Sequence, residues 1–161
     1  MFDDLSKTLA TGFGVGNVPV APGTFGTLWG CVLFFLLRQN SQMWFQIFSL
    51  AFAVFAIVVA HLAEKAYKKK DCQQIIIDEI AGVLFCYSFV TYSTFNLVLG
   101  FLFFRLFDVA KIFPANWAQD KLKGGLGVVG DDLVAGIQAG VLLYALPFII
   151  KWTGWGTSFL K

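Results

Sequence analysis

The chain has 161 residues, enough for one domain and too few for a soluble domain beside a membrane one. Apolar residues make up 58% and charged residues 14%, against roughly a quarter charged in soluble domains; its 19 phenylalanines exceed what so small a core can hide, which excludes an ordinary soluble globule. A net charge of +2, with lysines not interleaved with exposed aromatics, excludes a nucleic-acid groove.

Residues Met1 to Ala10 carry two acids and no uninterrupted apolar stretch, so no cleavable signal peptide is expected. The next stretch, Gly12 to Thr27, is rich in glycine and proline and predicts a tight loop rather than a regular helix. Apolar segments follow at 23–37, 43–62, 79–95, 96–113 and 133–150, with Arg105 and Asp108 interrupting the fourth. The first is near the lower limit for a span or a re-entrant element. An all-α, polytopic membrane bundle is expected, with four to five apolar helices behind the loop and one integral-membrane domain over 1–161, because helices satisfy their own backbone in lipid.

With a cytoplasmic N-terminus and five crossings, Lys7, Lys65, Lys68, Lys69, Lys70, Arg105, Lys111, Lys121 and Lys123 fall on the inner side, and Arg38, Lys151 and Lys161 on the outer. This distribution fits the positive-inside rule. The same arrangement draws Asp78, Glu79, Arg105, Asp108, Lys111, Asp131 and Asp132 to one membrane face. Ionisable groups at membrane depth are costly unless paired or bound to an ion, which makes them functional candidates.

Four constellations carry the chemistry. In the glycine-rich loop, Gly23 would let backbone N–H groups approach a phosphate, and Thr24 would cap the following helix; an ordinary turn with packing glycines reads equally well. Asp78-Glu79 enters an apolar helix, where one acid would suffice for capping and two suggest a metal, with small Ala81 and Gly82 beside them for close helix approach. Arg105, Asp108 and Lys111 recur every third residue on one helical face, as an ion-pair ladder or as one cation ligand with two phosphate-binding cations. Pro114 is expected to end that helix. Last, a glycine-rich connection delivers Asp131-Asp132 to the start of an apolar helix; capping explains one of them, and the pair suggests magnesium.

The remaining features read as packing or boundary residues. The lone His61 is a packed or interfacial histidine, Lys68-Lys69-Lys70 a solvated flank, and Trp152 and Trp155 an interfacial belt. Cys31, Cys72 and Cys86 have neither CxxC nor metal spacing, and the two within apolar runs, Cys31 and Cys86, read as buried thiols.

A single histidine leaves no paired-histidine phosphatase mechanism, and neither a Cys-x5-Arg loop nor an Asp-x-Asp or Ser–His nucleophile is present. Carboxylates, two or three cations and glycine-rich backbone remain, a kit for Mg²⁺ chemistry on a phosphate. The patterns Gly12-Phe13-Gly14-x-Gly16, Pro19-x-Ala21-Pro22-Gly23-Thr24-x-Gly26, Asp78-Glu79-x-x-Gly82, Arg105-x-x-Asp108-x-x-Lys111 and Gly124-Gly125-x-Gly127-x-x-x-Asp131-Asp132-x-x-Ala135-Gly136, in this order, resemble the bacterial phosphatidylglycerophosphatase A family. That resemblance implies a Mg²⁺-dependent hydrolase of phosphatidylglycerophosphate in phospholipid biosynthesis, multi-pass in the cytoplasmic (inner) membrane, with its active site facing the cytoplasm. Its partners would be the phospholipid substrate and the bilayer. It further implies an acidic site of Asp78, Glu79, Asp108, Asp131 and Asp132, joined by Arg105 and Lys111. Two positions depart from the family pattern: Ile112 where proline often follows the lysine, and Lys123 where a histidine can stand. The alternatives are a phosphatase of the same fold for another lipid or prenyl phosphate, and a cation transporter.

Overall fold

Small residues decide how closely the helices of this chain approach one another. The computed structural model describes residues 2–69 and 72–153, so Lys70, Trp155 and Lys161 lie outside the described residues. In chain order these are α1 (Phe2–Ala10), a 3-10 turn (Val15–Asn17), α2 (Pro22–Leu36), α3 (Gln42–Tyr67), α4 (Ile77–Tyr87), α5 (Thr94–Ala110), α6 (Ala115–Lys121) and α7 (Gly125–Thr153), with no strand among the described residues. The all-helical expectation holds. Two helices, α3 and α7, are long and apolar enough to cross a membrane, and α2 is apolar but shorter. Two of the four to five expected spans therefore reach that length.

The composition of α3 is inverted relative to a helix in water. Its buried face is Ser49, Ala53, Ala56, Ala60 and Ala63 with Phe45 and Val59, while Met43, Ile47, Leu50, Val54 and Val58 point outward. Only 33% of its most apolar window is buried, and 28% for α7. Lipid removes the penalty for exposing large apolar side chains, and association then rests on close backbone packing. The surface is one for membrane association.

Helices α4 and α7 cross where Gly82 meets Gly136: a methyl group at Gly136 would sit 2.1 Å from the Gly82 carbonyl oxygen. Beside this crossing an aromatic core fills the space towards α2. Phe34 stacks on Tyr87 with centroids 4.2 Å apart, and the buried Tyr87 hydroxyl donates to the Leu97 carbonyl at 2.7 Å, the partner a buried phenol requires.

The bundle has two chemically distinct ends. At one, Phe34, Leu37, Gln42 and Tyr92 share a small pocket, and Gln42 and Gln46 both donate to the Ser88 carbonyl. The starts of α3 and α5 thus meet the ends of α2 and α4. The starts of α2 and α4 and the end of α5 gather at the other end, with the second turn of α7.

Several boundaries differ from the sequence expectation. Helix α2 begins at Pro22, so residues 23–27 are helical rather than loop; proline at the first position lacks an N–H that would be unpaired there anyway. The cap position is Ala21 with no side-chain bond, so Thr24 does not cap the helix. The 79–95 segment leaves the helix after Tyr87, and its last two residues already belong to α5. Helix α5 ends at Ala110 with Lys111 as its left-handed cap, and Pro114 stands at the start of α6 instead of ending α5. Helix α7 starts eight residues ahead of the apolar run, through Gly125, which lies against Ile57 and His61, and Gly127 and Gly130, which lie against Leu122; packing overrides weak propensity. Cys31 and Cys86 are free and buried, as read from the sequence, and Cys72 is buried too; His61 is exposed and lies beside Gly124.

Adding one methyl inside should therefore cost more than removing several outside. Gly136→Ala is expected to destabilise the protein by about 3 kcal/mol, whereas Leu50→Ala, at an outward position 59% exposed, should change stability by less than about 0.5 kcal/mol. Thermal unfolding of the two detergent-purified variants, followed by helical circular dichroism, checks the contrast.

Candidate active site

At the charged end four helices each contribute at a defined position. Asp78 and Glu79 occupy the first turn of α4, where the helix dipole favours acids. Among the described residues their capping bond is local, from the Glu79 N–H to Asp78 Oδ1 at 3.1 Å. Asp131 and Asp132 lie in the second turn of α7, not at its start. They are beyond the reach of helix-end capping, which falls off within the first turn. Capping therefore accounts for neither.

Asp78, Asp108, Asp131 and Asp132 are all buried. Oxygens of Asp78, Glu79 and Asp132 lie within 4.8 Å of one another. Oε2 of Glu79 is buried and has no hydrogen-bond partner among the described residues. An orphaned carboxylate oxygen beside two further carboxylates is energetically poor for protein alone. It matches what a hard cation with oxygen preference requires.

The other two acids face cations. Arg105 Nη1 donates to Asp108 Oδ2 at 2.5 Å, and Lys111 Nζ lies 3.4 Å from Asp108 Oδ1. Lys111 also pairs with Asp131 Oδ2, and its Nζ is 3.5 Å from Asp132 Oδ1. One ammonium thus links α5 to α7 and touches the three-carboxylate group at Asp132. Its reach depends on backbone: Lys111 adopts φ 46°, ψ 47° and its N–H closes the last turn onto the Phe107 carbonyl at 2.9 Å. A non-glycine residue in this region is uncommon, and here the turn places the ammonium beyond the helix end, between three carboxylates. The ion-pair ladder expected from the Arg105, Asp108 and Lys111 spacing is present, extended across helices to Asp131.

Gly23 is also at this end, in a different role from a phosphate-cradling loop. A methyl group there would lie 2.2 Å from Glu79 Oε1 and 3.2 Å from Arg105 Nη1. Its bare Cα lets α2 press against the acid cluster. Thr24 is half-buried in the same turn. The glycines at 12, 14 and 16 do not reach the acids; Gly12 packs on Trp29 and Ile76, and Gly16 on Gln74. The left-handed cap at Lys111 had no sequence signal, since glycine or asparagine usually marks such a cap.

The family model described as Phosphatidylglycerophosphatase A matches residues 8–147. The chain belongs to the phosphatidylglycerophosphatase A family. All seven charged groups of the site lie within the matched residues. A Haemophilus influenzae protein named phosphatidylglycerophosphatase A is 32% identical over 144 residues, covering 87% of each chain. An Escherichia coli protein of the same name is 30% identical over 137 residues, 84% of this chain and 80% of that one. A Bacteroides thetaiotaomicron protein named "Putative phosphatidylinositol-3-phosphatase" is 29% identical over 153 residues, 91% of this chain and 96% of that one. No solved structure matches the chain. Membership of this family makes the chain a phosphatase that hydrolyses a phosphomonoester.

The shared ammonium sets a stability prediction. Lys111→Gln leaves Asp131 and Asp132 buried without their cation and should destabilise the protein by about 3 kcal/mol. Adding Asp131→Asn to it should recover part of that loss, because the two side chains form one interaction. Melting temperatures of the wild type, both single variants and the double variant test this; strictly additive losses would contradict it.

Proposed function

We propose that the protein hydrolyses the phosphomonoester of phosphatidylglycerophosphate to phosphatidylglycerol and phosphate, using Mg²⁺, at the cytoplasmic face of the inner membrane. The observation that carries this reading is the convergence of Asp78, Glu79 and Asp132 from two helices on one buried point beside Lys111. The family match supplies the reaction class, and the two relatives named for phosphatidylglycerophosphatase supply the substrate.

In this reading the five acids divide by geometry. Asp78, Glu79 and Asp132 hold the metal, since among the described residues they bring three carboxylates together around the unpartnered Glu79 Oε2. A Mg²⁺ ion bound there supplies charge neutralisation and polarisation at the phosphate. Arg105 and Lys111, with side chains 22% and 29% exposed, face the substrate phosphate and stabilise charge that shifts onto its oxygens. Asp108 and Asp131 hold those two cations in place through their ion pairs. Gly23 and Thr24 form the α2 wall against which the phosphate rests. Hydrolysis breaks the bond between phosphorus and the glycerol oxygen; water supplies the oxygen that leaves with phosphate and the proton that ends on glycerol.

The topology belongs to the same reading. Helices α3 and α7 cross the bilayer, with the shorter α2, α4 and α5 packed between them in alternating directions as a single domain and with the acid end inside. Support comes from the separation of the two ends: Lys65 and Lys68 finish α3, and Arg38 lies at the opposite end, at the close of α2. A cation transporter would distribute its acids through the membrane depth, whereas these share one end.

The deciding measurement is phosphate release by purified protein from phosphatidylglycerophosphate, phosphatidylinositol 3-phosphate and a prenyl phosphate, with Mg²⁺ and with chelator. Release is expected from the first, only with Mg²⁺. Asp78→Asn and Asp132→Asn should each lower it on the order of 100-fold or more while helical content is kept. Preference for phosphatidylinositol 3-phosphate would move the substrate towards that of the Bacteroides relative, and full activity in both variants would remove the metal site.

A further inference from the structure

Lys111 joins the acids of two helices, and the connection from Lys111 to Pro114 between α5 and α6 has to hold it there. The side chains of that connection supply little packing: Ile112 is 48% and Phe113 71% exposed. Its backbone is tied at both ends. The Lys111 N–H donates to the Phe107 carbonyl and the Ala115 N–H to the Ile112 carbonyl, each at 2.9 Å. Helix α6 does not take up the Phe113 carbonyl, because the Ala118 N–H reaches Pro114 and the Trp117 N–H turns to Asn116 Oδ1.

Gln138 takes this carbonyl instead. Its Nε2 donates to the Phe113 oxygen at 3.0 Å, from 25 residues along the chain. Gln138 follows Asp131 by seven residues on α7, so at about 100° per residue the two share a face, roughly 10 Å apart along the axis. The helix whose acids receive the Lys111 ammonium therefore also grips the turn that delivers it. The other amide atom, Oε1, is buried without a hydrogen-bond partner among the described residues. A buried amide oxygen left unpaired opposes folding, so stability alone favours an apolar side chain at this position.

We propose that Gln138 is a positioning residue for the phosphatase, holding the Phe113 carbonyl on α7 and so fixing the left-handed turn from which Lys111 meets the substrate phosphate. This role rests on the assignment of Lys111 to that phosphate. Within a bilayer no water replaces a lost bond to a backbone carbonyl, so the amide keeps the turn in one arrangement. Gln138 lies outside the acid cluster and acts through Lys111.

Gln138→Met, similar in length but without the donor, separates this role from a structural one. Phosphate release from phosphatidylglycerophosphate should show kcat lowered about tenfold and KM changed less than about twofold, with the melting temperature no lower than that of wild type. In a Lys111→Gln background the same substitution should change kcat by less than about twofold, because the group it positions is gone. Hydrogen exchange of the peptide spanning 107–118 should be faster in Gln138→Met, a readout independent of activity. Equal kcat losses in both backgrounds, a loss that tracks a lowered melting temperature, or unchanged exchange would overturn the role. Full activity of Lys111→Gln would overturn the assignment of Lys111 itself and this role with it; activity lost there but kept in Gln138→Met would overturn this role alone.

Discussion

The fold is organised around an imbalance of charge in a dry place. Five carboxylates come together at one end of an apolar bundle, and Arg105 and Lys111 are the cations that pair with them there. Lys111 lies against three of the five carboxylates and ties α5 to α7. Removing three helices' acids from water is tolerable only because that ammonium is shared and, in the proposed reading, because a divalent ion completes the balance at Asp78, Glu79 and Asp132. The same requirement explains why all the acids sit at one end: deeper in the bundle, neither water nor an entering ion could compensate them.

Holding these groups together demands close backbones. Gly23 lets α2 press on Glu79 and Arg105, and Gly82 and Gly136 let α4 and α7 cross at contact. Large side chains are displaced outward by this arrangement, which is why α3 keeps alanine and serine inside and leucine, valine and isoleucine outside. Such a surface suits lipid as solvent. Packing for the site and exposure to the membrane are thus one constraint, since small residues at the contacts leave the large ones nowhere else to go.

The glycine motifs divide in purpose. One, around Gly23, belongs to the reaction end. The other, around Gly12 to Gly16, shapes a surface turn between a polar cavity and an apolar trench. Both contain the residues of a phosphate-binding loop, and glycine content alone does not distinguish them. Only the position of α4 between them does so.

Composition and motif order by themselves determined an all-helical, lipid-associated chain, the family, and which acidic and basic residues share a place. This was legible because apolar runs and adjacent acids beside hydrocarbon have few other physical explanations. The tertiary structure decided what each residue does there. Thr24 reads as a cap in sequence, but α2 starts two residues earlier at Pro22 because the chain before it is already turned at Ala21. Asp131 and Asp132 read as helix-start residues, but helix–helix contacts carry α7 back through three glycines to Gly125. The division between the Asp78, Glu79 and Asp132 cluster and the ion pairs of Asp108 and Asp131, joined at Asp132 by Lys111, depends on the left-handed turn at Lys111 and on how α4, α5 and α7 face one another. Distances between residues far apart in the chain are set by packing, and no spacing along the sequence encodes them.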